Sequence, residues 1–352
     1  MDNSQRSNTD ARYADLTDWL TRHAGQFDLD LNTLAPASSD ASFRRYFRLA
    51  AGASTVIAMD APPPHEDCRP FVHVTQLLKD AGSRVPDILA QDLERGFLLL
   101  SDLGRHTYYQ AVQSGIDDGG LQALYRNALD ALVRLQHADA RSLPVYDGAR
   151  LTQELEVFTH WYAHVHCAAT LSNEDADMLS ALFATLTADN AQQPRVLVHR
   201  DFHSPNLMVP TTQHDGGLSA TGVIDFQDAL SGPITYDIAS LVMDARTTWE
   251  EPQQLDWAIR YWEAAKAAGL PVDPDFAEFH RAYEWMSLQR NLRILGVFSR
   301  LSHRDGKHHY LDHMPRVMAY VRQVAGRYGA FRPLLKLLDR LENRQTVDGY
   351  TF

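Results

Sequence analysis

Three polar residues stand directly after apolar runs, at a spacing suited to phosphoryl transfer. Asp201 and Asn206 lie in the polar loop His-x-Asp-x-His-x-x-Asn, which follows the apolar run 196–198. Asp225 ends a second apolar run further along the chain. A carboxylate such as Asp201 can orient an attacking hydroxyl and accept its proton, while Asn206 and Asp225 can hold Mg²⁺ against phosphates. The asparagine follows the aspartate by five residues, as in the catalytic loop of kinases.

The same loop permits a second interpretation as a metalloenzyme site. His199, Asp201 and His203 alternate, so on a strand they would share one face and could bind zinc or iron. Pro205 and the polar run favour a loop instead, and no Glu or Cys completes the set.

The elements around these residues change in character along the chain. The first hundred residues predict a small sheet with helices, and the remainder predicts long helices interrupted by two short strands. Helices are predicted over 11–24, 69–81, 121–137, 151–169, 175–188, 253–268, 275–301, 309–324 and 333–341. Strands are predicted within 34–59, most clearly over 43–49 and 55–59, and over 87–90, 97–100, 195–198 and 222–224. We therefore expect an α+β, bilobal, protein-kinase-like fold, with a nucleotide-binding lobe over 1–102 and a catalytic and substrate-binding lobe over 103–352.

Composition narrows the class of protein further. A chain of 352 residues with a net charge of −12 lacks the clustered cations that a nucleic-acid binder needs. Cys68 and Cys167 form neither a disulfide framework nor a zinc pattern. No apolar run approaches the length of a membrane span, and residues 1–10 do not resemble a signal peptide. We expect a cytoplasmic protein with a small-molecule substrate and no nucleic-acid, membrane or protein partner.

The catalytic-loop sequence resembles that of the aminoglycoside phosphotransferase-like small-molecule kinases. Protein kinases carry lysine at the position of His203, and Asp225-Phe226-Gln227-Asp228 replaces their Asp-Phe-Gly. No activation-loop segment follows, so a protein substrate is not expected.

Longer segments are similar to one bacterial subgroup of these kinases. The segments are 40–48, 96–104, 222–229 and 289–298. Members of the subgroup use ATP and Mg²⁺ to phosphorylate the anomeric C1 hydroxyl of N-acetylmuramate and N-acetylglucosamine. The α-1-phosphate that they form feeds nucleotide-sugar synthesis in cell-wall recycling. The resemblance implies this activity for the chain.

The resemblance also implies roles for individual residues. It implies that Asp237 braces the catalytic loop, where we also expect a structural role for His199. We expect nucleotide binding by Ser39, Ser42, Arg44, Leu100 and Asp102, and substrate binding by His203, Gln227, Asp228, Arg290 and Arg293. The two C-terminal arginines lie one turn apart on a predicted helix and are candidates for binding the lactyl carboxylate of N-acetylmuramate.

Two standard kinase parts are missing. The strand over 55–59 contains no phosphate-pairing lysine, and the helix over 69–81 contains no glutamate. Cationic help for the phosphates could come from Arg44 or Arg45 instead. The gaps leave two alternatives: a kinase of another small alcohol, of the aminoglycoside, choline or homoserine type, and a non-catalytic pseudokinase that binds nucleotide. The intact base and metal ligands argue against the pseudokinase.

Overall fold

A computed structural model describes residues 3–38, 43–63, 65–211 and 219–342, with the backbone alone for 3–10 and 38. The chain forms two compact units. The first comprises Met1–Arg105 and Pro210–Asp228, and the second comprises His106–Val209 and Ala229–Phe352.

The returning segment Pro210–Asp228 refines the single boundary that the sequence predicts after Asp102. This segment belongs to the first unit because it bonds to the chain around Arg84. The amide of Val223 donates to the carbonyl of Arg84 at 2.9 Å. The Arg84 guanidinium in turn donates to the carbonyl of Ala220 at 3.1 Å. Asp225, which follows directly, is therefore positioned by the first unit.

The helices and strands follow the predicted order, with four additions. The strands are β1 (Leu29–Ser38), β2 (Arg45–Ala51), β3 (Ser54–Asp60), β4 (Ile88–Asp92), β5 (Phe97–Ser101), β6 (Arg195–Val198), β7 (Leu207–Met208), β8 (Gly222–Val223) and β9 (Leu230–Pro233). The α-helices are α1 (Asn3–Phe27), α2 (Arg69–Asp80), α3 (Tyr108–Gln113), α4 (Asp118–Gln136), α5 (Gly148–Val157), α6 (Asn173–Gln192), α7 (Tyr236–Val242), α8 (Glu251–Ala267), α9 (Phe276–His303), α10 (Met314–Arg327) and α11 (Arg332–Leu341). A π-helical stretch covers Phe158–His166, and 3-10 turns cover Ala140–Ser142, Ser204–Asn206, His308–His313 and Gly329–Phe331. The α-helices and strands without a predicted counterpart are α3, α7, β7 and β9.

The first unit is built on a sheet of five strands in the order β1-β2-β3-β5-β4. Every neighbouring pair is antiparallel. Helix α1 contributes Leu16, Trp19 and Leu20 to a core that also contains Phe47 and Phe97. Each such side chain stabilises the fold by about 1.5–3 kcal/mol through its burial. This core supports β5, which carries Leu100 and leads directly to Asp102.

The second unit is helical around α9, most of which is buried. A short antiparallel ribbon of β6 and β9 pairs Val198 with Leu230 and supports the start of the catalytic loop. Among the described residues, no helix is long and apolar enough to cross a membrane.

Helix α9 touches the backbone at the junction of α5 and the π-helix. A Cβ on Gly296 would lie 2.4 Å from the carbonyl oxygen of Val157, so a side chain here would force the two segments apart. The single helix predicted over 151–169 is thus divided into an α-helical and a π-helical part. This close approach brings Arg290 and Arg293 of α9 to the same region as Glu154 of α5.

Candidate active site

The catalytic loop leaves β6 through a residue in an unusual conformation. Arg200 has φ of +77°, a left-handed value that costs a non-glycine residue free energy and that recurs at functional sites. The segment that follows is a loop and a 3-10 turn, not a strand. The metalloenzyme interpretation needs a strand that would put His199, Asp201 and His203 on one face, and these residues do not form one. No group of three or more His, Cys, Asp or Glu residues within the described ranges is arranged to hold a metal ion.

Asp237, in the first turn of α7, holds the start of the loop. Its carboxylate accepts hydrogen bonds from the amides of His199, at 2.6 Å, and Arg200, at 3.0 Å. The buried ring of His199 accepts the amide of Asp201 through Nδ1 at 3.3 Å. Burial raises the pKa of Asp237 to about 6, although His199 and the two amide donors act in the opposite direction. These are the bracing contacts that the resemblance assigns to Asp237 and His199.

A second buried carboxylate, Asp244, holds the far end of the loop. It accepts the amide of Ser204 at 3.0 Å and also the Ser204 hydroxyl. Its other oxygen accepts the amide of Arg246 at 2.9 Å. Sequence analysis missed Asp244, since nothing in the local spacing distinguishes it from any other aspartate after a helix. Together Asp237 and Asp244 fix the loop on both sides of Asp201.

Asp201 lies between these braces with 41% of its side chain exposed. Burial alone would raise its pKa, but neighbouring positive charges outweigh burial and lower the pKa to about 2. In decreasing order, the lowering influences come from His203, which is protonated only in the acid range where Asp201 titrates, and from Arg293, Arg290 and Arg200. Asp201 is thus a carboxylate at any physiological pH.

Two predicted residues lie close to Asp201. The side-chain nitrogen Nδ2 of Asn206 donates to the backbone carbonyl of Asp201 at 3.0 Å, which fixes the orientation of the Asn206 side chain. His203 places Nε2 at 3.8 Å from the Asp201 carboxylate. Burial and the charge of Arg246 lower the pKa of His203, so its ring is neutral at pH 7. Within the described part of the chain, its buried Nδ1 has no hydrogen-bond partner.

The two predicted arginines of α9 differ sharply in their contacts. Arg293 lies 3.3 Å from the carboxylate of Glu154, which also binds Arg200 at 2.8 Å and accepts the hydroxyl of Tyr146. Its charge is therefore partly neutralised within the protein. Glu154 was not predicted, because it is far in sequence from both of its arginines.

No residue that the structure describes pairs with Arg290 as Glu154 pairs with Arg293. Arg290 is only 3% exposed, and its Nε and Nη1 make no hydrogen bond to any residue that the structure describes. Its charge nevertheless acts on Asp201 and His203, lowering the pKa of each. A buried guanidinium with unused donors beside the catalytic loop is suited to bind an anionic or carbonyl oxygen of a ligand.

The first unit contains the other predicted catalytic segment. Asp225 follows β8 with φ of +65°, again left-handed. Its carboxylate accepts a hydrogen bond from the side-chain Nε2 of Gln227 at 2.9 Å and lies 3.6 Å from the guanidinium of Arg44. Gln227 also donates to Asp228, at 3.3 Å, and Asp228 is exposed.

The phenyl ring next to Asp225 fixes the segment to α2. Phe226 is fully buried and stacks on Phe71 with ring centroids 4.8 Å apart. The backbone at Asp225 is thereby held against the helix that follows β3.

The remaining predicted nucleotide residues have mixed surroundings. Leu100 is buried in β5, opposite Ile57. Asp102 accepts hydrogen bonds from Arg48, at 2.5 Å, and Thr55, at 2.6 Å. Burial alone would raise the pKa of Asp102, but these donors lower it. Asp102 therefore links β2 and β3, and its role toward a nucleotide stays a prediction. The predicted residues Ser39 and Ser42 lie outside the described residues.

A loop with a braced aspartate, a following asparagine and a separate strand-end aspartate defines a kinase-like phosphotransferase. The family model described as "Phosphotransferase enzyme family" matches residues 33–287, and the chain belongs to this family. It is a phosphotransferase enzyme with the predicted α+β protein-kinase-like fold.

Relatives with assigned names match nearly the whole chain. An N-acetylmuramate/N-acetylglucosamine kinase of Pseudomonas aeruginosa is 44% identical over 340 residues, covering 94% of this chain and 97% of the relative. Proteins of the same name from Pseudomonas putida and Neisseria meningitidis are 41% and 39% identical. These matches cover 95% and 97% of this chain, and 97% and 99% of the relatives. The resemblance to this subgroup is confirmed.

Solved structures agree with the fold. The ADP-bound aminoglycoside phosphotransferase APH(2'')-Ib superimposes with a TM-score of 0.57 at 14% identity, covering 88% of this chain and 98% of that one. The GDP complex of aminoglycoside 2'-phosphotransferase-IIIa gives a TM-score of 0.59 at 14% identity, covering 86% and 98%. At this identity the similarity concerns the fold alone.

Proposed function

We propose that the protein is an ATP-dependent kinase that phosphorylates the anomeric C1 hydroxyl of N-acetylmuramate and N-acetylglucosamine. The product is the α-1-phosphate, and the proposed setting is cytoplasmic recycling of cell-wall sugars. The names of the relatives support the sugar class. The observation that carries the proposal is the set of arginines around Asp201, above all the buried Arg290 with unused donors.

These arginines favour an anionic amino sugar over the other small alcohols. Aminoglycosides and choline are cations and need an acidic, often aromatic pocket. Arg290 and Arg246 both act on His203 beside the catalytic loop, and each would repel a cationic substrate. The lactyl carboxylate of N-acetylmuramate provides the acceptor that Arg290 lacks. In this proposal Arg293 does not bind the lactyl carboxylate directly, because its guanidinium pairs with Glu154.

Asp201 orients the hydroxyl and accepts its proton. A carboxylate whose pKa is about 2 is a weak base, so it cannot strip the hydroxyl before the reaction begins. Phosphoryl transfer has a loose transition state that asks little of the nucleophile, and the proton can move late. An anomeric hydroxyl is more acidic than other sugar hydroxyls, which suits such a base. In this proposal neutral His203 accepts a hydrogen bond from the sugar through Nδ1, which has no partner among the described residues.

Asp225 and Asn206 supply the hard oxygen donors that Mg²⁺ prefers. With one carboxylate and one amide oxygen, the set suits an ion that completes its shell with phosphate and water rather than a protein-only cage. When bound, Mg²⁺ neutralises the developing charge on the phosphates. The joint role of the two residues, and the substrate roles of Gln227 and Asp228, are part of the proposal.

The test is an ATP-consumption assay over free sugars and amino alcohols, with the product phosphate located by NMR. We expect turnover of N-acetylmuramate and N-acetylglucosamine, and a product that is labile in mild acid and no longer reducing. The methyl glycoside of N-acetylglucosamine should be inert, because C1 is blocked while the other hydroxyls remain. Equal turnover of the methyl glycoside would refute the anomeric assignment. Turnover of choline or an aminoglycoside alone would refute the sugar class.

A further inference from the structure

The lysine that pairs with nucleotide phosphates in most kinases has no counterpart in the first unit. Strand β3, where it would stand, contains none. The one lysine between residues 1 and 105 is Lys79, on α2, and its amine is bound to Asp87. The phosphates of ATP carry several negative charges, so a kinase without a cation at this place needs another source.

Arg44 stands immediately before β2 and meets two carboxylates. Its Nε lies 3.2 Å from the carboxylate of Glu66, and its Nη1 lies 3.6 Å from that of Asp225. The side chain of Arg44 is 12% exposed and that of Glu66 is 18% exposed. An ion pair shielded to this degree is held in place more firmly than a solvated surface pair.

A ring contact reinforces the ion pair. Phe43 stacks on His65 with centroids 4.7 Å apart and an angle of 18° between the planes. Two consecutive residues before β2 thus contact two consecutive residues ahead of α2. The stack keeps Phe43 in place although 63% of its surface is exposed, so packing in a core does not explain its position.

The neighbouring Arg45, the other cation considered from the sequence, has a different function. Its guanidinium binds the fully buried Asp60, which also binds Arg12. Arg45 therefore compensates a buried carboxylate at the end of β3. Arg44 is the arginine that stands beside the proposed metal ligand Asp225.

We propose that Arg44 and Glu66 form the phosphate-pairing ion pair of this enzyme and replace the strand lysine and helix glutamate of other kinases. The proposal rests on the proposed ATP-dependent function. Glu66 orients the guanidinium through Nε, and a phosphate bound beside Asp225 would meet the Nη1 edge of the same guanidinium. Arginine suits this arrangement because its five donors lie in a rigid plane and can serve a carboxylate and a phosphate together. Glu66 is a positioning residue here, since it acts through Arg44.

Nucleotide binding without sugar tests the proposal, measured by calorimetry in Mg²⁺ with ATP, ADP and adenosine. We expect R44M to weaken ATP and ADP binding by about 10- to 100-fold and adenosine binding by less than about 2-fold. E66Q should weaken ATP binding by about 3- to 10-fold, because the guanidinium loses its orienting partner. The matched control is R69Q, which breaks the exposed Arg69–Asp67 pair nearby, and it should leave all three affinities unchanged.

The charge-swapped variant R44E/E66R separates a phosphate contact from a merely structural pair. It should recover thermal stability lost in either single variant but not the affinity for ATP. Recovery of ATP affinity in the swap would overturn the proposal, as would wild-type ATP binding by R44M or equal losses for ATP and adenosine. Each of these results leaves the sugar-kinase function intact. A wild-type protein that binds no nucleotide would instead refute both proposals.

Discussion

Replacing Arg290 by methionine provides the most direct test of how the site selects its substrate. Methionine has a similar length but neither charge nor donors, so R290M removes only the guanidinium. A hydrogen bond to a charged group contributes about 1.5–3 kcal/mol. The catalytic efficiency kcat/KM for N-acetylmuramate should therefore fall by about 10- to 150-fold. N-acetylglucosamine has no lactyl carboxylate, and its kcat/KM should change by less than about 3-fold.

The same substitution should leave stability intact, which is unusual for a residue with 3% exposure. Two guanidinium nitrogens of Arg290 have no partner among the described residues, and an unsatisfied buried donor costs about 1–3 kcal/mol. Removing these donors should keep the free energy of unfolding or raise it by about 1 kcal/mol. The matched control R293M breaks a pair with Glu154 and should lower the free energy of unfolding by about 2–3 kcal/mol.

Two measurements test these expectations for R290M and R293M. Steady-state kinetics with both sugars gives the change in kcat/KM, and urea unfolding gives the change in the free energy of unfolding. Equal losses for the two sugars in R290M would refute the carboxylate assignment and point to a group common to both, such as the acetamido carbonyl. A marked loss of stability in R290M would refute the premise that its donors are unused.

Three further predictions concern the loop and the proposed metal ligands. D201N should bind ATP normally and lose about 10²- to 10⁴-fold in kcat, because the amide cannot accept the sugar proton. Retention of a tenth of the activity would exclude Asp201 as an essential base. D225A should raise the Mg²⁺ concentration needed for half-maximal turnover more than N206A does, since a carboxylate neutralises metal charge and an amide only completes the shell; an unchanged Mg²⁺ requirement in D225A would contradict its role. Asp237, whose pKa rises from 3.8 to about 6 on folding, should make the wild type lose up to about 3 kcal/mol of stability as the pH rises from 4 to 6. The folded protein keeps a proton there that the unfolded chain has released, so D237N should lack this slope in chemical denaturation.

The candidate catalytic residues could be selected from the sequence because their pattern is local. Asp201 and Asn206 are separated by one loop, and the apolar runs before Asp201 and Asp225 mark the strands that deliver them. The partners that hold these residues could not be predicted in the same way. Asp244 is 40 residues from Ser204, and Glu154 is 46 residues from Arg200. Only tertiary folding brings such pairs together, and spacing carries no signal for them.

Among the elements that were not predicted, α7 and β9 were missed for different physical reasons. Helix α7 has seven residues, and all of them are buried, so it shows no alternation between apolar and polar faces. Strand β9 reads Leu-Ser-Gly-Pro, which contains the residues of a turn, and it becomes a strand only by pairing with β6. The π-helix after α5 lies where Gly296 of α9 approaches the backbone of Val157, a long-range contact that the local sequence does not show.

The arginines near Asp201 also explain how a carboxylate base can act on an anionic sugar. A second negative charge about 6 Å away, at an effective dielectric of about 20, costs roughly 3 kcal/mol and would raise the pKa of Asp201 by about 2. If Asp201 had the ordinary aspartate pKa of about 4, this rise would bring its pKa to about 6, and a fraction of the base would be protonated near neutral pH. Because the pKa of Asp201 begins at about 2, the base stays ionised with the substrate carboxylate bound. In the proposed function, the arginine charges that would bind the lactyl group thus also help to keep Asp201 ionised.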